Sequence, residues 1–474
     1  MGPYMLRVAL AIALVAALPI RAEAQAPDPA QAHRIDADVR AALAHAGAPG
    51  ATIAIIRDGH LDYAQAYGWR DVEHHLPMRV DTHFEIGSIT KQFTVAALLQ
   101  LRAAGKLYID ATLATYLPTA PHAGEVTLRQ LMSHTSGLHD YFDTPDAEAA
   151  AVKPATFDQV IARIASLPLD FAPGSRWAYS NTGYVLLGRI IEIVSGERYN
   201  HYVRAHFLRP LGMRQSVTVA DEAHLPDMAV GYRTAGGRLQ RAPTISDGFG
   251  WSAGNIVSTQ ADLETWNRAL MAGQVVSPAD YRLMTTSVMT TESGDAGYGL
   301  GLFVDRVLDQ PRIGHTGGSF GFTTANEYFP NQQVRIIAFT NDGDGPPEPG
   351  EILTNVVFDD LYPEIAAAAL RPTPGEDPAS TAGAAALFGQ LQRGTDGPAR
   401  FTERLQGKMK AGLAEHLAKQ LGGYGAATAV IFKGHRTDGD THWTDYLLQF
   451  GPGSTLSFAV AYDAAGAVTA LSIG

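Results

Sequence analysis

Two short apolar runs near the start of the chain, residues 51–56 and 61–67, are separated by Arg57-Asp58-Gly59-His60. Asp-Gly between two such runs predicts a hairpin of paired strands. A helix over residues 32–46 precedes it. Across 89–105 the period lengthens: Phe93, Ala96, Ala97, Leu101 and Ala104 share one helical stripe, which Gly105 ends. Residues 106–290 hold further helical stretches, among them 185–195 and 260–271, joined by loops that carry Gly and Pro. Strand character returns at 298–305, 322–329 and 334–340, with Pro330-Asn331 as a turn, and a helix over 351–361 follows. Strands at both ends with helices between them predict an α/β (α+β) unit. Its antiparallel sheet is built from N- and C-terminal segments, is flanked by helices, and carries an inserted, mainly helical region.

Residues 371–380 contain three prolines, a glycine and two acids, which is linker chemistry. Beyond them Phe401, Leu405, Met409, Leu413, Leu417 and Leu421 recur every four residues, and 427–432, 443–450, 455–462 and 468–473 read as strands. The expected plan is a main domain over 32–368, a linker over 369–381 and a small α+β domain over 382–474.

The first 24 residues change the picture of where the chain works. Arg7, the apolar stretch 8–20 and Ala22-Glu23-Ala24 form a secretory signal, with cleavage expected after Ala24. That apolar stretch is short for a bilayer span, so the mature protein is expected to be periplasmic or secreted with no membrane span. The chain has no cysteine, which excludes disulfides, a lipid-modified cysteine and Cys-ligated metal. Its net charge of −12 comes without a basic cluster and argues against nucleic acid, leaving small molecules or peptides as partners.

Three sets of residues carry candidate chemistry. Ser88-Ile89-Thr90-Lys91 stands at the start of the predicted 89–105 helix, where positions i and i+3 share a face. The Lys91 amine then meets the Ser88 hydroxyl, and burial near a helix N-terminus disfavours the ammonium, which makes a general base. Tyr179-Ser180-Asn181 follows the turn Phe171-Ala172-Pro173-Gly174. A Tyr hydroxyl relays protons and an Asn amide holds a carbonyl, although two polar residues capping the next helix would look the same. Gly314-His315-Thr316-Gly317-Gly318 precedes the 322–329 strand. Its glycines let a substrate lie against a strand edge, and His315 and Thr316 offer donors to a carboxylate.

In order and spacing these sets resemble the serine β-lactamase and penicillin-binding protein superfamily, and within it the class C β-lactamase and DD-peptidase branch, over residues 32–365. Phe84-Glu85-Ile86-Gly87-Ser88-Ile89-Thr90-Lys91 is similar to the active-site signature of that branch. The segment 131–138 and Tyr298-Gly299-Leu300-Gly301 match further landmarks. The resemblance implies a β-lactamase/transpeptidase-like fold, Ser88 as nucleophile, and Lys91 and Tyr179 sharing proton transfer. It further implies Asn181 orienting the substrate amide, the N–H groups of Ser88 and Gly318 as oxyanion hole, His315, Thr316 and Gly317 in substrate binding, and no cofactor or metal. Where β-lactamases carry Lys-Thr-Gly this chain has His315-Thr316-Gly317, which implies a weaker, pH-dependent hold on a carboxylate. The reaction class is cleavage of an amide or ester through acyl-Ser88. DD-carboxypeptidase, D-aminopeptidase and esterase stay open within it, and a catalytically silent sensor of penicillin or peptidoglycan fragments stands outside it.

Two other signals are weaker. Gly317-Gly318-Ser319-Phe320-Gly321 fits the G-x-S-x-G elbow of α/β-hydrolases, but that elbow needs a strand before it and a helix after it. His74, His75 and the segment 134–140 are rich in metal-ligand types without the spacing of a helical zinc motif.

Overall fold

The computed structural model describes residues 27–290, 297–343, 348–394, 400–451 and 453–473, so the leader expected over 1–24 lies outside the described residues. Helix α1 (Pro29–Ala46) opens on Asp28, whose side chain accepts from the Gln31 N–H, and closes on Gly47 in the left-handed conformation. Strands β1 (Gly50–Arg57) and β2 (His60–Asp71) form the predicted hairpin. Its turn residues Asp58 and Gly59 sit at φ 49° and 78°, the sign that the favoured two-residue turn demands.

After a single turn at Gly87–Ile89, helix α2 (Thr90–Ala103) runs through the middle of the molecule. Helices α3 (Asn181–Ser195) and α4 (Gln260–Met271) belong to the inserted region. The chain then returns to the sheet with β3 (Phe303–Val307), β4 (Gln310–Ser319), β5 (Phe322–Phe329) and β6 (Val334–Thr340), and closes with helix α5 (Pro349–Leu361).

The main sheet is antiparallel in the order β2-β1-β6-β5-β4-β3, extended by two-residue strands at both edges. Strand β1 joins β6 in the register Ala51↔Thr340 to Arg57↔Val334, so the two ends of the main domain close on each other. Both faces of β1 are covered. Ile53 and Ile55 pack with Ile336 and Ala338 under α1 and α5, whereas Ala54 and Ile56 join Ile337, Phe339 and Phe93 under the helical region. That explains why the sequence there is continuously apolar rather than alternating.

One expected strand is interrupted. Instead of 298–305 there are two pieces, Gly297–Tyr298 and β3. The break follows from close packing: a Cβ on Gly299 would lie 2.0 Å from the Met284 carbonyl oxygen, and Gly301, at φ 77°, lies against the Lys91 carbonyl. The Gly-rich run before residue 322 is itself the second half of a ten-residue strand, β4.

In the C-terminal part, helix α6 (Pro378–Arg393) starts on Asp377, inside the stretch expected as linker through residue 381. It packs Leu387, Phe388 and Leu391 on Tyr446, Leu448 and Phe458 of a four-stranded antiparallel sheet, β7 (Ala429–Asp438), β8 (Thr441–Gly451), β9 (Ser454–Tyr462) and β10 (Val468–Ile473). The helix expected over 401–421 is broken into Glu403–Lys408 and Ala414–Leu421 by a wide turn in which Gly412 takes φ 117°. No helix among the described residues is long and apolar enough to cross a membrane.

Candidate active site

Ser88 sits on the turn that leads into α2, and Lys91 on the first turn of that helix. The i,i+3 spacing brings Lys91 Nζ to 2.9 Å from Ser88 Oγ. Lys91 is fully buried, and its amine also lies 2.8 Å from Asn181 Oδ1 and 2.9 Å from the Ala253 carbonyl oxygen. Burial pushes Lys91 down to about 7, against the nearby charge of Asp140, which raises it.

Asn181 Oδ1 and the Ala253 carbonyl can only accept, whereas Ser88 Oγ can accept from Nζ or donate to it. An ammonium donates to all three; once neutral, the amine keeps two N–H bonds for the two obligate acceptors and has its lone pair for the Ser88 hydroxyl. Tyr179 donates its phenolic O–H to Ser88 Oγ at 2.8 Å, and burial holds that phenol well above its ordinary value, hence protonated. With Lys91 neutral, the hydrogen bonds run from Tyr179 O–H to Ser88 Oγ and from the Ser88 O–H to the Lys91 amine.

Asn181 is the first residue of α3. Asp140 fixes it from behind, its Oδ2 accepting from the Asn181 backbone N–H at 3.0 Å and from Nδ2 at 2.8 Å. That contact decides which way the amide faces. His134, in the left-handed region at φ 58°, accepts from the Ser180 N–H at 3.1 Å through Nδ1, and its ring lies 4.3 Å from that of Tyr179. Buried among Tyr179, Tyr184, Tyr298 and Trp177, it is held neutral, well below its ordinary pKa, and serves as packing for the tyrosine rather than as a charge.

The Gly-rich strand is brought to the same place. Strand β3 pairs with β4 only as far as Phe303↔Gly314, while β5 pairs along β4 to Ser319. On the β3 side no described strand covers His315 to Ser319, and that free edge faces the turn of Ser88. A Cβ on Gly87, which takes φ 49°, would lie 2.6 Å from the Gly318 carbonyl oxygen and 2.8 Å from its nitrogen, and one on Gly317 would lie 2.0 Å from the Ile86 carbonyl oxygen. Only glycines allow the two main chains to approach so closely. Nothing lies within 4 Å of a Cβ on Gly318, so the space beside the edge is open.

His315 is brought to the site in a different state from the one expected. Its Nε2 lies 2.9 Å from the Tyr298 hydroxyl and its Nδ1 2.5 Å from the Thr316 carbonyl oxygen, so neither ring nitrogen is left for a substrate carboxylate. Burial and the neighbouring Lys91 push it down to about 3, which makes it neutral throughout the working range. Thr316 points the other way along the pleat, toward Glu348 at the start of α5. Ser319 donates to Glu85, and the chain passes from β4 through a tight turn straight into β5. The strand-to-helix elbow required by the G-x-S-x-G reading is absent there.

Asp140, the Ala253 carbonyl and Glu348 were not marked by sequence reasoning. Asp140 stands in the His/Asp-rich segment 134–140, where residue type alone does not distinguish a metal ligand from a support for Asn181. Ala253 enters through its main chain, which leaves no side-chain signal.

The family model named Beta-lactamase matches residues 35–361, so the chain belongs to that family and is a serine hydrolase of the β-lactamase fold. Bacillus subtilis PbpX, which carries a penicillin-binding protein's name, is 30% identical over 292 residues, 61% of this chain and 70% of that one. The crystal structure of a D-stereospecific amidohydrolase from Streptomyces sp. matches at 29% identity and TM-score 0.59, covering 66% of this chain and 95% of that one. The octameric penicillin-binding protein homologue of Pyrococcus abyssi shares the fold at TM-score 0.63 and 24% identity over 91% of this chain and 96% of that one, a span that takes in the C-terminal part.

Proposed function

We propose that this protein cleaves an amide or ester bond through an acyl-Ser88 intermediate, with Lys91 as general base and Tyr179 as proton relay. The observation that carries the reading is the placement of Lys91: its buried Nζ lies 2.9 Å from Ser88 Oγ, which the Tyr179 hydroxyl also reaches at 2.8 Å, and burial pushes the amine down to about 7, where it can take the Ser88 proton. The Ser88 proton passes to Lys91 Nζ as Oγ bonds to the substrate carbonyl carbon. The carbonyl oxygen becomes an oxyanion, held by the N–H groups of Ser88 and Gly318. The proton then moves from Lys91 through the Tyr179 hydroxyl to the leaving nitrogen or oxygen, and the bond to the leaving group breaks. Water attacks the acyl-enzyme by the reverse path, giving the free acid and restoring Ser88. Asn181 has one Nδ2 hydrogen beyond the one held by Asp140, and it orients the substrate amide.

We infer further that the protein works outside the cytoplasm, on the leader of residues 1–24. Mass spectrometry of the mature N-terminus checks cleavage after Ala24.

The decisive test is labelling by a fluorescent penicillin and turnover of p-nitrophenyl esters, each followed in the native protein and in Ser88→Ala. Labelling or turnover that vanishes in Ser88→Ala supports the acyl-enzyme. Turnover retained in Ser88→Ala overturns it.

A further inference from the structure

The free edge of β4 gives the site a direction. Every strand pair in the main sheet is antiparallel. A substrate chain laid along the edge in the same sense runs toward its C-terminus as β4 runs back from Gly318 to Thr316. With the scissile carbonyl at Gly318, the leaving group lies beside Thr316, two residues or about 6.7 Å along the strand.

What waits there is acidic. The Thr316 hydroxyl faces the carboxyl of Glu348, and this carboxyl is close enough to act electrostatically on Tyr179 as well. Glu348 Oε2 is buried and has no hydrogen-bond partner among the described residues. Glu348 occupies the cap position of α5 without making a side-chain cap bond, so its carboxylate is not spent on the helix. A cavity of about 160 Å³ runs from it past Glu351 and Arg312 to Tyr424 and Ser454 of the C-terminal part.

The cations nearby do not neutralise Glu348. Arg312 is held by Asp305 (2.8 and 2.9 Å), Glu327 (2.8 Å) and Glu351 (2.9 Å), three carboxylates on one guanidinium. Arg306, which also borders the cavity, donates to the Asp309 carbonyl oxygen. Around Glu348, Arg306 on β3 and Arg312 on β4 thus face three carboxylates, Asp305 on β3, Glu327 on β5 and Glu351 on α5, and the Tyr424 hydroxyl adds no charge at neutral pH.

We propose that Glu348 is a specificity-determining residue: it makes the leaving-group end of the site reject a free carboxylate and accept neutral or cationic leaving groups such as amides, esters and amine-bearing residues. A leaving residue with a free C-terminal carboxylate sets two negative charges together in a partly dry site, where like charges repel. An ammonium there is instead attracted by the Glu348 carboxylate. The inference rests on the acyl-Ser88 reading and narrows it away from carboxypeptidase action.

The test uses three N-acetyl-D-alanyl-D-alanine substrates that differ only at the C-terminus: free carboxylate, N-methylamide and 2-aminoethylamide. Burial beside Glu351 raises Glu348 to about 7, so the assays run at pH 8, where it is ionised. The readout is the ratio of kcat/KM values within each protein, with the N-methylamide as reference. In the native protein the carboxylate substrate falls at least tenfold below the N-methylamide, and the 2-aminoethylamide lies above it. Glu348→Gln brings the three together, and Glu348→Lys inverts the order. Ratios that do not respond to residue 348, while turnover still depends on Ser88, overturn this proposal and leave the hydrolase reading intact. Absence of Ser88-dependent turnover with all three substrates and of Ser88 labelling by penicillin overturns both.

Discussion

Asp140 takes both donors that Asn181 presents on one side, the backbone N–H at 3.0 Å and Nδ2 at 2.8 Å, and thereby turns Asn181 Oδ1 toward Lys91. A buried carboxylate thus acts twice on a lysine it does not touch: its charge favours the ammonium against the larger effect of burial, and its hydrogen bonds place the Asn181 oxygen at Nζ.

Asp140→Asn separates these effects. The substitution removes the charge that raises Lys91, so the lysine titrates lower and the acid limb of the kcat/KM profile moves to lower pH. The weakened hold on Asn181 lowers kcat by about tenfold to a hundredfold. A pH profile that only scales down, without moving, would show that Asp140 acts on position alone.

Lys91 at about 7 places the acid limb of acylation near neutrality. Below that pH the amine carries a proton and cannot take another, so the acylation rate falls about tenfold per pH unit. Lys91→Arg puts a permanent cation where an amine able to lose its proton stood, and acylation of Ser88 drops by about a thousandfold or more, read by stopped-flow labelling.

Tyr179→Phe keeps the ring that packs on His134 and removes the relay. The expected loss in kcat is about a hundredfold to ten-thousandfold with melting temperature nearly unchanged. Esters with good leaving groups, which need no proton, lose less than amides.

Gly87→Ala puts a methyl group against the Gly318 main chain at a φ of 49°. Two penalties coincide, so the variant loses about 1 to 3 kcal/mol of stability in urea unfolding. Because the β4 edge and the Ser88 turn must part, acylation falls further than stability does.

Arg312→Met leaves Asp305, Glu327 and Glu351 without their shared cation. Removing one partner of a buried ion network costs about 3 to 5 kcal/mol, measured by chemical denaturation at pH 7. Glu327 is pushed up to about 7 by burial despite Arg312. With the arginine gone it stays protonated to higher pH, so lowering the pH restores part of the lost stability.

Much of this architecture was legible from residues alone, because it rests on local signals. Asp58-Gly59 announces a hairpin wherever it stands between apolar runs, and the stripe from Phe93 to Ala104 is a helix by its period. Ser88 and Lys91 meet because three helical residues make nearly one turn. What misled was equally local. Gly299 and Gly301 read as strand although contacts with Met284 and Lys91, distant in the chain, break it there. Gly412 splits a helix whose four-residue period runs through it without a gap.

His315 and Glu348 mark the boundary most clearly. The order of Ser88-x-x-Lys91, Tyr179-x-Asn181 and His315-Thr316-Gly317 along the chain establishes the family and the candidate chemistry, since residue type and spacing carry that information directly. The charge state of each group does not follow from type or spacing. It depends on burial and on partners drawn from segments up to 162 residues away: Ala253 on Lys91, Tyr298 on His315, Thr316 on Glu348. Only the packed chain brings those segments together and removes the water between them, and it is the missing water that makes Lys91 a base and His315 a neutral ring.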